Sequence, residues 1–246
     1  MTELEAIRAR HSVRQYLNKP LKPDELAALR SELAICNQES GLHIQLVVNE
    51  PKAFQGSMAR YGKFSGVNNY FALIGKAGPA LQEKCGYWGE RLALFAQMME
   101  LNTCWVALTF NKVKFAYTLD EGEKLAAVIA LGRGATQGVP HKSRAMEEVA
   151  AVIALSGGGA PGASQRSKAI DEVTGVDRPM PDWFQAGMEA VLLAPTAMNQ
   201  QKFTFTLRPD GKVLAQPGRA LYAKMDLGIA KYHFEVGAGK ENFQWA

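Results

Sequence analysis

Residues 89–105 read GERLALFAQMMELNTCW, and residues 228–245 read GIAKYHFEVGAGKENFQW. Each stretch starts at a glycine, continues as a helix and then a loop, and reaches a tryptophan, Trp105 or Trp245, after nearly the same spacing. An earlier pair of stretches matches in the same order. Pro23 and Asp24 open a helix that leads to a strand at 42–48, while Pro181 and Asp182 open a helix that leads to a strand at 203–207. The spacing predicts that the second part of the chain repeats the first, as two half-domains related by a pseudo-twofold axis. Such a pair reproduces within one polypeptide the C2 symmetry common among homodimers. Residues 1–155 make the first half, 156–165 a glycine-rich linker (SGGGAPGAS over 156–164), and 166–246 a truncated second half.

Around this frame the other elements are short. A helix from Leu4 runs into an extended segment ending near Tyr16. The helix after Pro23 has Asp24 and Glu25 in its first turn, where acidic groups suit the helix dipole, and runs to about Ile35. Apolar runs at 70–75, 104–108 and 126–131 read as strands. The helix at 89–101 has apolar side chains on nearly every face and is expected to be buried. The second half adds a helix at 181–193, a strand at 202–207 and a helix at 221–236. Alternating helices and strands predict an α+β or α/β layered fold.

Composition removes several functional classes. The chain has 246 residues, 47% hydrophobic and 21% charged, as an ordinary globular protein does. It contains no apolar run of the roughly 18 residues a membrane span needs, and its first residues lack the apolar core of a secretory signal. Cys36, Cys85 and Cys104 form no C-x-x-C pair, so a disulfide framework or zinc site is not expected, and a cytoplasmic location is. The net charge of +4 is scattered apart from two clusters, at 8–14 and 133–144. Clusters so short suit one small anion rather than a nucleic acid.

Several motifs invite chemistry. Gly132, Gly134 and Gly138 follow an apolar strand, but a dinucleotide-binding turn must open a helix, and Pro140 discourages one. Residues 157–164 have P-loop spacing with Ala163 where the lysine belongs. Arg10, Ser12 and Arg14 alternate on an extended segment and so converge on one face, offering two guanidinium forks and a hydroxyl to phosphate or carbonyl oxygens; His11 alternates to the other side. A solvated basic strand explains the same spacing. Residues 194–201, APTAMNQQ, place Thr196, Asn199 and Gln201 as neutral donors and acceptors after a proline-stopped helix, where a plain connecting loop would also serve. Residues 141–144, HKSR, form either a solvated turn or a phosphate clamp.

Taken together, these blocks resemble the FMN-dependent nitroreductase family. Residues 10–16 resemble its R-x-S-V-R-x-[YF] strand, APTAMNQQ its A-P-S-x-x-N-x-Q-P-[WF] signature, and 101–106 (LNTCWV) its L-G-x-x-x-W-[VI] motif; AAVIALGRG followed by HKSR resembles its closing strand. Lys202 stands where the family has proline, and Phe203 where tryptophan is usual. The first half carries only AICNQ at 34–38 where the proline loop belongs, and the second half only VDRP at 176–179 where the arginine strand belongs. One subunit of the dimeric family contributes the arginine strand to each flavin and the other contributes the loop. The arrangement therefore resembles the monomeric, internally duplicated branch, with one site kept.

The resemblance implies an α+β fold with a central mixed or antiparallel sheet flanked by helices. It implies FMN, with its phosphate held by Arg10, Ser12 and Arg144 assisted by Lys142, and its N1/C2-carbonyl edge facing Arg14. His11 belongs to the same cofactor-binding block. Main-chain groups near Trp105 and Val106 contact the flavin N5, and Pro195, Thr196 and Asn199 complete the site from the second half. No side chain acts as obligatory acid or base; Arg14 stabilises charge that develops on the ring. The implied reaction is ping-pong hydride transfer from NAD(P)H through FMN to a small-molecule acceptor such as a quinone or nitroaromatic. A flavin-binding or flavin-handling protein without turnover is the alternative. Internal pairing implies a monomer, with a dimer left open, and no nucleic-acid or membrane partner.

Overall fold

The computed structural model describes residues 1–113, 116–139, 181–208 and 210–246. The chain divides into two compact units, Met1–Pro140 and His141–Ala246. The linker at 156–165, the segment at 176–179 and both expected half-domain limits fall outside the described residues.

In the first unit, helix α1 (Glu3–Ala9) starts at a capping box in which Thr2 and Glu5 bond each other's backbone N–H. Helix α2 (Pro23–Ser40) has proline in its first turn and Glu25 accepting from the Lys22 N–H. It continues past Ile35 to Gly41, whose left-handed conformation (φ 67°) ends it. The AICNQ segment is thus a continuous helix, not a loop. Asn37, within it, both donates to and accepts from the Ile44 backbone, fixing the turn into strand β1 (Gln45–Val47). A short helix α3 (Ser57–Tyr61), not read from the sequence, precedes strand β2 (Asn69–Lys76).

Helix α4 (Leu81–Met98) starts well before Gly89, which lies in its middle. Glycine is needed there for close approach: a Cβ would come within 2.6 Å of the Trp105 ring. Nor does a loop carry the chain to Trp105. After a turn at 99–101, strand β3 (Asn102–Val106) carries the chain through Trp105, and strand β4 (Glu123–Gly132) follows.

The sheet order is β1-β2-β4-β3, every ladder antiparallel. A parallel bridge from Ser12 to Thr103 adds the arginine segment to the outer edge of β3. Both sheet faces are covered, which is why β2 is apolar without alternation. Tyr70, Ala72 and Ile74 join Val128, Ala130, Cys104 and Val106 in a core with Phe54 and Phe64. On the opposite face Leu73 and Trp105 meet α4 at Gly89.

The second unit contains helix α5 (Asp182–Val191), strands β5 (Phe203–Leu207) and β6 (Val213–Pro217) paired antiparallel, and helix α6 (Ala223–Ala238). Gly228 lies inside α6 rather than at its start, and β6 was not expected. The two helices approach closely at Gly187 and Gly237, where a Cβ would lie 2.7 Å from the Phe234 ring and 2.6 Å from the Ala186 carbonyl oxygen. Phe184, Phe205, Phe234, Phe243 and Trp245 pack edge-on and stacked against one another to fill the core. Among the described residues no helix is long and apolar enough to cross a membrane.

Candidate functional site

The first group of site residues is built on the edge of β3. Arg10 is the C-cap of α1 and not part of a strand; its N–H closes the helix on Ala6. Its backbone is already extended (φ −70°, ψ 125°), so the extended segment starts where the helix stops. The Arg10 side chain is fully buried and forms an ion pair with Glu90 on α4, Nε to Oε1 at 3.5 Å. Its Nε, Nη1 and Nη2 have no hydrogen-bond partner among the described residues. A buried guanidinium with no acceptor is expensive, since the transfer cost is not offset by hydrogen bonds.

From Ser12 the segment is extended. The Val13 N–H donates to the Thr103 carbonyl, and Val13 enters the sheet core. Arg14 is exposed, its guanidinium 6.0 Å above the Phe64 ring. The two arginines thus part company, Arg10 inward and Arg14 outward. Both still act on the Cys104 thiol, whose pKa burial raises against the lowering pull of Arg14, Arg10 and a hydrogen bond with Ser12. His11 packs against Gly138, where a Cβ would lie 2.8 Å from its own; burial and the adjacent Arg10 charge lower its pKa. The glycine-rich turn therefore seats on this segment: Gly134 bridges Tyr16 and donates to Asn102 Oδ1 at 2.8 Å. No helix opens at the turn among the described residues.

Trp105 and Val106 occupy the same strand. Trp105 Nε1 donates to Glu90 Oε2 at 2.7 Å, so one buried carboxylate serves both Arg10 and Trp105. Thr103 offers its carbonyl to Val13, away from β4. Two residues on, the ladder alternation points the Trp105 N–H and C=O the same way, towards the sheet edge.

The second group lies in the other unit. After α5, Ala194 and Pro195 are buried, while Met198 and Asn199 are exposed at the tip of a short 3₁₀ turn, Ala197–Asn199. Met198 (φ 52°), Asn199 (φ 53°) and Gln201 (φ 44°) are left-handed, as is Tyr222 (φ 63°) at the start of α6. Left-handed non-glycine residues cost about 1 kcal/mol or more each and persist only where the surroundings fix them. Here they are fixed by Asp226 of α6, which is 2% exposed. Its Oδ1 accepts the Ala197 N–H at 2.9 Å and its Oδ2 accepts Gln200 Nε2 at 2.7 Å. Gln200 Nε2 also donates to the Leu221 carbonyl, and Thr196 Oγ1 accepts the Gln201 N–H. Burial raises the Asp226 pKa, with these two donors pulling it back.

Lys142 and Arg144 fall outside the described residues. The structure brings Arg10, Ser12, Arg14, Trp105 and Val106 to one sheet edge in the first unit, and Pro195, Thr196 and Asn199 to one loop in the second. Glu90 and Asp226 were missed. The available signal was an acidic residue inside a helix otherwise read as apolar, LALFAQMM after Glu90 and LGIA after Asp226.

A family model described as "Putative TM nitroreductase" matches residues 3–238. The chain belongs to this nitroreductase family. A Thermotoga maritima crystal structure described as "a putative nitroreductase" is similar with a TM-score of 0.58 and 17% identity, covering 98% of this chain and 85% of that one. That likeness shows a nitroreductase fold. A nitroreductase with bound FMN from Bacteroides fragilis is similar at a TM-score of 0.44 and 20% identity over 59% of this chain and 94% of its own. No curated protein matches the sequence.

Proposed function

We propose that this nitroreductase is an FMN-dependent NAD(P)H oxidoreductase. The observation that carries the reading is Arg10: a buried, permanently charged fork with three nitrogens and no acceptor among the described residues. An anion with several oxygens supplies what it lacks, and a phosphate monoester does so with charge-assisted bonds. The residues present therefore fit the phosphate end of FMN. Ser12 adds a hydroxyl on the same segment, and the family resemblance of residues 141–144 adds Lys142 and Arg144 to this clamp.

Bound flavin supplies reversible hydride transfer between NAD(P)H and a small-molecule acceptor, in a ping-pong cycle. The chain supplies binding and electrostatics. Arg14, exposed on its segment, provides the cation for the pyrimidine edge. The outward main-chain groups of Trp105, with Val106, provide donors for the central ring, and the Thr196 and Asn199 side chains provide neutral polar contacts beside Pro195. No side chain is assigned as acid or base. Three free, buried cysteines accord with a cytoplasmic, reducing setting, and a monomer is part of the proposal.

The test is turnover. Purified protein supplied with FMN is expected to oxidise NADH or NADPH when menadione or a nitroarene is added. Bound FMN that stays oxidised under anaerobic NADH and NADPH would instead establish flavin binding without turnover.

A further inference from the structure

In the second unit, every left-handed non-glycine residue among those described lies on the stretch that Asp226 ties together: Met198, Asn199 and Gln201 on the loop, and Tyr222 one turn before Asp226 on α6. The contacts are of two kinds. The Asp226 carboxylate takes the Ala197 backbone N–H directly, and it takes the Gln200 amide, which in turn holds the Leu221 carbonyl. Loop, helix start and carboxylate are thus one hydrogen-bonded unit. Gln201 Nε2 donates to Asn199 Oδ1 at 3.1 Å behind the tip, where Met198 is 77% exposed. The tip is held from behind and left open in front.

We infer that Asp226 is a positioning residue that locks the strained 194–201 loop in the conformation presenting Thr196 and Asn199 to the flavin. This rests on the flavin reading above. A charged carboxylate is suited to the task because it accepts from two directions at once, and its burial in α6 gives it a rigid base. Asparagine can keep the Ala197 bond through its one oxygen but turns an N–H₂ towards Gln200. Alanine removes both bonds. The two variants therefore grade the lock.

The experiment is FMN titration of the full chain and its variants by flavin fluorescence, with the visible spectrum of bound flavin and amide exchange at Ala197 as further readouts. Asp226→Ala is expected to weaken FMN binding by about tenfold or more, as loss of a charge-assisted pair does, to alter the bound-flavin spectrum, and to speed exchange at Ala197. Asp226→Asn should fall between wild type and alanine. Gln200→Ala, which leaves the buried carboxylate in place, tests the same lock should Asp226→Ala fail to fold, and should weaken FMN binding in the same sense. Wild-type affinity and an unchanged flavin spectrum in the folded variants would overturn the assignment of Asp226. Failure of the wild-type chain to bind FMN would instead overturn the flavin reading, whatever the exchange at Ala197 shows.

Discussion

Arg10 in one unit and Asp226 in the other are both buried in the candidate site regions, and the two charges are treated oppositely. Arg10 in the first unit is enclosed beside Glu90 with none of its nitrogens hydrogen-bonded among the described residues. Asp226 in the second has both carboxylate oxygens engaged by Ala197 and Gln200. A buried charge whose bonds are complete is building material: it holds backbone that would otherwise relax. A buried charge whose bonds are incomplete is either a cost or a receptor, and the proposed flavin site takes the second. The difference separates the residue that grips a ligand from the residue that shapes a loop, although both are equally hidden from solvent.

The largest effect expected from this contrast comes from Arg10→Met, which leaves the buried Glu90 carboxylate without its cation. Breaking such a pair costs about 3 kcal/mol or more, read as a lower urea midpoint of the apo protein. A loss under about 1 kcal/mol would show that Glu90 does not depend on Arg10.

Asp226→Asn should cost less, about 1–2 kcal/mol, because one acceptor survives. Its pH dependence has a definite sign. Burial raises the folded-state pKa of Asp226 above the ordinary aspartate value of 3.8. The folded state thus holds its proton longer than the unfolded chain, and stability from this group falls as pH rises from 3.8 through the folded value. The stability of wild type relative to Asp226→Asn should therefore decline with rising pH over that window in urea titrations. A rising difference would contradict the burial argument.

Glu90→Gln breaks the same buried pair, and its smaller effect is on FMN binding. Glutamine keeps an acceptor for Trp105 while removing the anion that competes for Arg10, so FMN should bind about two- to fivefold tighter. Weaker binding would mean that Glu90 orients Arg10 more than it competes with the phosphate. Arg14→Ala should alter stability by less than about 0.5 kcal/mol, being exposed, yet slow flavin reduction by NAD(P)H in stopped flow. Equal rates would remove Arg14 from the electrostatic role.

The fold was largely readable because its strands are apolar runs and a helix can carry a clear start, as at Pro23. Errors cluster at glycines. Gly89 and Gly228 were read as helix starts, whereas a glycine in mid-helix can serve packing, here against Trp105. That distinction depends on a residue brought near by the fold, and local sequence does not carry it. The helical course of AICNQ was obscured for a related reason: its end depends on Gly41, beyond the segment compared with the loop. The site's visible members are those with family spacing, Arg10 to Arg14 and Pro195 to Asn199. Their supports, Glu90 and Asp226, act across long separations in the chain, so spacing could not reveal them, although an acid among apolar helix positions was a usable sign. The burial of Arg10 was also illegible, because it depends on α4 bringing Glu90 beside it from a distant part of the chain.

The most direct measurement compares FMN with riboflavin, which differs only in lacking the phosphate, by titrating each into the apo protein. If Arg10 awaits a phosphate, FMN should bind at least about tenfold more tightly than riboflavin, and Arg10→Lys should erase most of that preference. Equal affinity for the two flavins would contradict the account at its centre.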